Sequence, residues 1–204
     1  MEQHRSPTRR LRIFLRDFRM VEAAVHLAGG QSLASFFVNR RMYLNLREAF
    51  WTGTGERVEH VVLKVEQVLW VASTDADIPL SHASSSIPGR FVELQLDGGL
   101  LLRGRLIISP QQRLLDYLEG SGRFVPILSA QLLRSGRPPK RVNVQLGDIV
   151  LNQDGIQAAW ETADQTPSEA PGTEESPRGK VKPAPEEGGS PREVRRKGDE
   201  RTRL

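Results

Sequence analysis

FVELQLDGGLLLRGRLII, residues 91–108, is the stretch whose reading decides the fold. Phe91, Leu94 and Leu96 lead to Asp97-Gly98-Gly99, and Leu100 to Ile108 returns. The apolar period is close to two and the turn carries an Asp-Gly pair, which together specify a β-hairpin. A similar form lies upstream. Val21, Ala23 and Val25 alternate with Glu22, Ala24 and His26, Gly29-Gly30 marks a turn, and Leu33 to Val38 is expected to return as a strand. Val21-Glu22 up to Gly29-Gly30 thus answers Val92-Glu93 up to Gly98-Gly99. Further along, Tyr43 to Ser73 can be laid on Phe124 to Asp154 without a gap. This places Ala49 on Ala130, Gly55 on Gly136, Val61 on Val142, and Val65–Val71 on Leu146–Asn152. The chain therefore reads as two β units in tandem, a form common among binding and scaffolding modules.

The other strands follow from the same pattern. Met42, Leu44 and Leu46 alternate with Tyr43, Asn45 and Arg47, and the turn Thr52-Gly53-Thr54-Gly55 follows. Val58 to Val71 reads as one long strand rich in β-branched residues. In the second unit, Ser109-Pro110 opens a short helix, Arg113-Leu114-Leu115-Asp116-Tyr117-Leu118, with Gly120 as its stop. Phe124–Leu133, Val142–Leu151 and Ile156–Trp160 complete the set. The expected architecture is mainly β: two tandem four-stranded antiparallel units, each a small barrel or half of a sandwich, with a short helix inserted only in the second. The boundaries predicted are a basic arm at 1–19, β unit 1 at 20–73, a linker at 74–89, β unit 2 at 90–160 and a disordered tail at 161–204. In the arm, Leu11, Phe14, Leu15 and Phe18 recur at helical spacing, which slightly favours an amphipathic helix; Leu11, Ile13 and Leu15 also alternate as a strand would. The tail is rich in Pro, Glu, Gly, Ser and Arg, with Val181, Val194 and Leu204 its only aliphatics larger than Ala, too few to bury. Trp51, Trp70 and Trp160 sit near strand ends, where large aromatics plug core ends or the seam between units.

Composition narrows the function classes. The chain has 204 residues and no cysteine, so disulfides, thiol nucleophiles and thiolate-ligated metals are out. No run approaches the ~20 apolar residues of a membrane span, and no apolar stretch precedes a cleavage site near the N-terminus. These features lead us to expect a cytoplasmic protein, and the excess of arginine over lysine, with lysine only at 64, 140, 180, 182 and 197, reads as the mark of a GC-rich bacterial genome. The net charge is +4, and residues 1–20 alone carry six arginines against Glu2 and Asp17. A basic globular face is therefore not implied. The four histidines, 4, 26, 60 and 82, are scattered. His26 and His60 could meet in one sheet, but no acidic third ligand stands at metal spacing. The glycine pairs lie in hairpins rather than between strand and helix, so they read as turns and not as a nucleotide cradle. No catalytic residue, metal or cofactor is assigned.

Two resemblances complete the reading. Val92-Glu93, Asp97-Gly98, Leu102-Arg103-Gly104, the helix from Arg113 to Leu118, Phe124-Val125-Pro126-Ile127-Leu128 and Ile149-Val150-Leu151-Asn152 together resemble a family of small bacterial β-proteins of unknown function. That likeness spans about 70 residues and implies no activity; the first unit departs from it in lacking the helix. Residues 93–107 are also similar to the opening strands of Sm-like RNA-binding barrels, at the level of fold alone. The function expected is a non-catalytic interaction or scaffold protein with a protein partner. The alternative is an RNA- or DNA-binding regulator whose contacts come from Arg9, Arg10, Arg12, Arg16, Arg40, Arg41, Arg137, Lys140 and Arg141.

Overall fold

A computed structural model describes residues 8–38, 42–75, 78–81, 89–135 and 140–163. It is mainly β, with ten strands in one antiparallel sheet that does not close on itself. The strands are β1 (Thr8–Leu15), β2 (Met20–His26), β3 (Tyr43–Trp51), β4 (Arg57–Lys64) and β5 (Val68–Ser73), then β6 (Arg90–Leu96), β7 (Leu100–Leu106), β8 (Phe124–Ser135), β9 (Lys140–Asn152) and β10 (Ile156–Glu161). Their order across the sheet is β10-β6-β7-β8-β9-β5-β1-β2-β3-β4. Each half therefore runs fifth, first, second, third, fourth. Helices α1 (Leu33–Val38) and α2 (Leu114–Gly120) both sit between the second and third strands of their half. A 3-10 turn separates the fourth from the fifth in each, at Val65–Gln67 and at Gln153–Gly155.

Several expectations change here. Each half has five strands rather than four. Thr8–Leu15 is neither arm nor helix but an inner strand, paired with β2 on one side and β5 on the other. The alternation Leu11, Ile13, Leu15 governs, since all three are buried. Two ladders of backbone hydrogen bonds outweigh the weak preference of a short isolated helix. Leu33–Val38 is a helix, not a returning strand. The Ser32 hydroxyl accepts the Ser35 N–H at 3.2 Å, capping it, and Leu33, Phe36 and Phe37 fall on its buried face. The long strand through Val58–Val71 breaks at the 3-10 turn, where the chain crosses from one edge of the half to the other. The counterpart of β6 is consequently β1 and not β2, so Val21 does not answer Val92. Tyr43 and Phe124 do both begin third strands. The β8–β9 hairpin is longer than β3–β4, however, so Val65 answers Gln153 rather than Leu146. Glu161 closes β10 and the Thr162 N–H bonds to the Phe91 carbonyl. The expected tail otherwise falls at 164–204, outside the described residues, as does most of the linker.

The core lies in two clusters that share the seam between the halves. Val68 and Val71 of β5 pack in the first cluster, and Leu69 and Trp70 in the second. On β9, Val150 joins the first, while Ile149 and Leu151 join the second. The register sets Trp70 opposite Leu151, Val71 opposite Val150 and Ala72 opposite Ile149. Both strands are apolar without alternation because both of their faces are covered. Asn152, fully buried, spans the seam: its Nδ2 donates to the Val68 carbonyl at 2.9 Å and its Oδ1 accepts the Asp154 N–H at 3.1 Å. Among the described residues no helix is long and apolar enough to cross a membrane.

Candidate interaction site

The β1–β2 turn builds the most distinctive surface. Leu15 N–H bonds to the Arg19 carbonyl at 2.9 Å and Phe18 N–H to the Leu15 carbonyl at 3.0 Å, a tight closure that drives Phe18 to φ 68°. A left-handed backbone is unfavourable for a bulky residue, so the surroundings must hold it there. They do: the Phe18 ring meets Phe14 edge-on at 6.3 Å and lies against Gly98, where a Cβ would come within 1.8 Å of it. Phe14 in turn stacks on Trp70 at 4.0 Å. Phe18 nevertheless remains 47% exposed. Across from it stands Trp51, at the end of β3, half-buried with the Arg19 guanidinium 4.8 Å over its ring. Arg19 is held by Asp17, Nε to Oδ2 at 2.8 Å, and that hydrogen bond keeps the Asp17 carboxyl below its ordinary value. Phe14, Phe18, Trp51 and Met20 thus line a cleft of about 430 Å³, with Arg19 and Glu56 among its polar residues.

The tryptophans separate into three roles. Trp70 fills the seam as expected, Trp51 faces the cleft, and Trp160 is 39% exposed on edge strand β10.

The arginines predicted to contact nucleic acid are also distributed. Arg10 pairs with Glu48 at 2.7 Å, Arg12 with its cross-strand neighbour Glu22 at 2.9 Å, and Arg16 with Asp97 at 3.0 Å. Arg9 is half-buried on β1 opposite Val25. Lys140 and Arg141 are exposed at the start of β9, with Arg141 directly opposite Arg134. Arg40, Arg41 and Arg137 lie outside the described residues. The structure therefore brings Arg134 and Arg141 together, while carboxylates partner Arg10, Arg12 and Arg16.

His26 and His60 do not meet. Arg47 stands between them, 3.5 Å from the His26 ring and opposite His60 in the ladder. No His, Asp and Glu cluster suited to a metal occurs among the described residues.

Sequence reasoning missed Phe18 and Arg19 as surface builders. The signal was available in Arg16-Asp17-Phe18-Arg19, a tight turn once Thr8–Leu15 is taken as a strand. Set against family models, curated proteins and solved structures, the chain matches none of them.

Proposed function

We propose that the chain is a non-catalytic interaction protein and that the Phe14–Phe18–Trp51 cleft receives an extended segment of a protein partner, anchored by an apolar or aromatic side chain. The observation that carries this reading is Phe18. Its ring is fixed by a left-handed turn against Phe14 and Gly98, yet stays about half exposed and lines one cleft with Trp51. Rigid, partly exposed aromatics around a pocket are the anchors of protein interfaces, because they bury much area at little conformational cost. Burying one such anchor contributes roughly 1.5–3 kcal/mol. A cytoplasmic setting belongs to the same proposal, on the absence of cysteine. So does the view that the two halves are copies of one five-stranded unit.

The test is panning of a displayed peptide library on the full chain. Enriched peptides should share an apolar anchor and should bind at least tenfold more weakly to Trp51→Ala and Phe18→Ser. Peptides that bind these variants as well as the parent, or no enrichment at all, would overturn it.

A second reading, nucleic-acid binding, is favoured by one feature. Arg134 and Arg141 face each other across the β8–β9 ladder, an unfavourable pairing that a phosphate between them would relieve. Single-stranded RNA titrated at two salt concentrations tests it. The salt slope should be steep and should shrink in Arg134→Gln and Arg141→Gln; a flat slope excludes this reading.

A further inference from the structure

The two halves meet through unlike strands: β9 is the fourth strand of its half and β5 the fifth strand of the other. The sheet's two open edges are β4, a fourth strand, and β10, a fifth strand. The edges left free are thus the same pair of strand types that form the internal seam. From this we infer that the chain assembles head to tail with further copies of itself, β10 of one copy pairing with β4 of the next.

The position of the 3-10 turns fixes the register. Counting back from Val65 and Gln153, Val61, Val62 and Leu63 stand where Ile149, Val150 and Leu151 stand. Counting forward, Ala158, Ala159 and Trp160 stand where Trp70, Val71 and Ala72 stand. Transferring the seam ladder gives Ala158 opposite Leu63, Ala159 opposite Val62 and Trp160 opposite Val61.

Burial agrees with this transfer. Leu63 and Val61 face their own half's core, as Leu151 and Ile149 do. Val150 is the residue of β9 that crosses the seam into the other half's core, and it is fully buried. Its counterpart Val62 is 68% exposed, on an edge that no strand pairs with among the described residues. Likewise Trp70 reaches across the seam and is 5% exposed, whereas Ala158 is exposed. Trp160 adds a large apolar side chain to the same edge. Val61-Val62-Leu63 is apolar without alternation, the pattern that β5 and β9 show where both faces are covered. A solitary sheet would carry such an edge as a pairing hazard; a self-complementary pair of unlike edges turns it into a heterologous interface, which closes into a ring or extends as a filament.

The experiment measures the mass of the full chain over a dilution series. The expected parent is a multiple of 22.8 kDa. Val62→Asp and Ala158→Asp each place a carboxylate where the neighbouring copy would cover it, yet both positions are exposed in the lone chain. Each variant alone should fall to the mass of one chain and still melt cooperatively, with a midpoint that no longer depends on protein concentration. Mixed, they should form a species of two chains and none larger, because each supplies the edge that the other lacks. If either substitution disturbs folding, the single variants Val62→Cys and Ala159→Cys give a second route, since the chain has no cysteine of its own. Oxidising their mixture should yield a covalent dimer that neither yields alone. A parent that stays at one chain throughout overturns the inference. So does a variant pair whose mixture remains at the mass of one chain. Dissociation by Val62→Asp but not by Ala158→Asp would indicate like edges meeting and overturns it as well.

Discussion

Asn152→Ala tests how the two halves are held together. The buried side chain satisfies one backbone carbonyl across the seam, Val68, and one backbone N–H in the 3-10 turn, Asp154. Truncation removes both bonds and leaves the buried Val68 carbonyl without a partner, while the Asp154 N–H lies in an exposed turn where water can replace its bond. Stranding the carbonyl costs about 1–3 kcal/mol and losing the bond in the turn about 0.5–1.5 kcal/mol, so the expected loss is roughly 1.5–4.5 kcal/mol. For a folded region of this size, that lowers Tm by about 3–18 °C. Asn152→Asp sharpens the reasoning. Its carboxylate keeps the Asp154 N–H but faces the Val68 carbonyl, so at neutral pH it should destabilise by at least as much as Ala, through a buried unpaired charge. A proton restores the missing donor. The folded state therefore binds that proton more tightly than the unfolded chain does, and stability should recover as pH falls toward the ordinary carboxylate range. Urea unfolding at several pH values, followed by tryptophan fluorescence, gives both losses and their pH dependence, and a thermal melt gives the Tm shift. A loss below about 0.5 kcal/mol for Ala, or a loss for Asp that does not depend on pH, would refute this account of the seam.

Two further outcomes follow from other sites. Gly98→Ala should cost roughly 1–3 kcal/mol, because the backbone there is left-handed at φ 73° and a Cβ would collide with the Phe18 ring; the same variant should change the emission of Trp51, and unaltered stability would show that Phe18 is not held against Gly98. Burial pushes the Tyr117 phenol above its ordinary value, against a weaker opposing hydrogen bond with Ser121. The folded state then keeps the proton longer than the unfolded one, so stability should fall as pH rises above the ordinary tyrosine value near ~10; Tyr117→Phe should remove that part of the alkaline loss, and an identical pH profile would count against it.

How far the sequence reaches can be judged strand by strand. Leu100, Leu102, Gly104 and Leu106 are buried alternately along β7, as the period of two in residues 91–108 implies. The mainly β, antiparallel class rests on that local pattern and on Asp97-Gly98. Such signals are legible because a strand with one buried face writes its alternation into a few consecutive residues. Ser32 and the spacing of Leu33, Phe36 and Phe37 also marked α1, though a nearby glycine pair made the same residues resemble a returning strand. Thr8–Leu15 is different in kind. Its apolar residues satisfy both a helix and a strand, and the choice is made by β2 and β5, whose ladders lie outside the segment. The cleft depended on that choice, since Phe18 is presented only if β1 and β2 form a hairpin. The single sheet likewise has no local signature. Val68–Val71 and Ile149–Leu151 are uniformly apolar, which announces that both faces are covered without saying by what. Only the tertiary structure joins them, because the partner of an edge strand is fixed by surface brought together across some 80 residues of chain rather than by the neighbours in sequence.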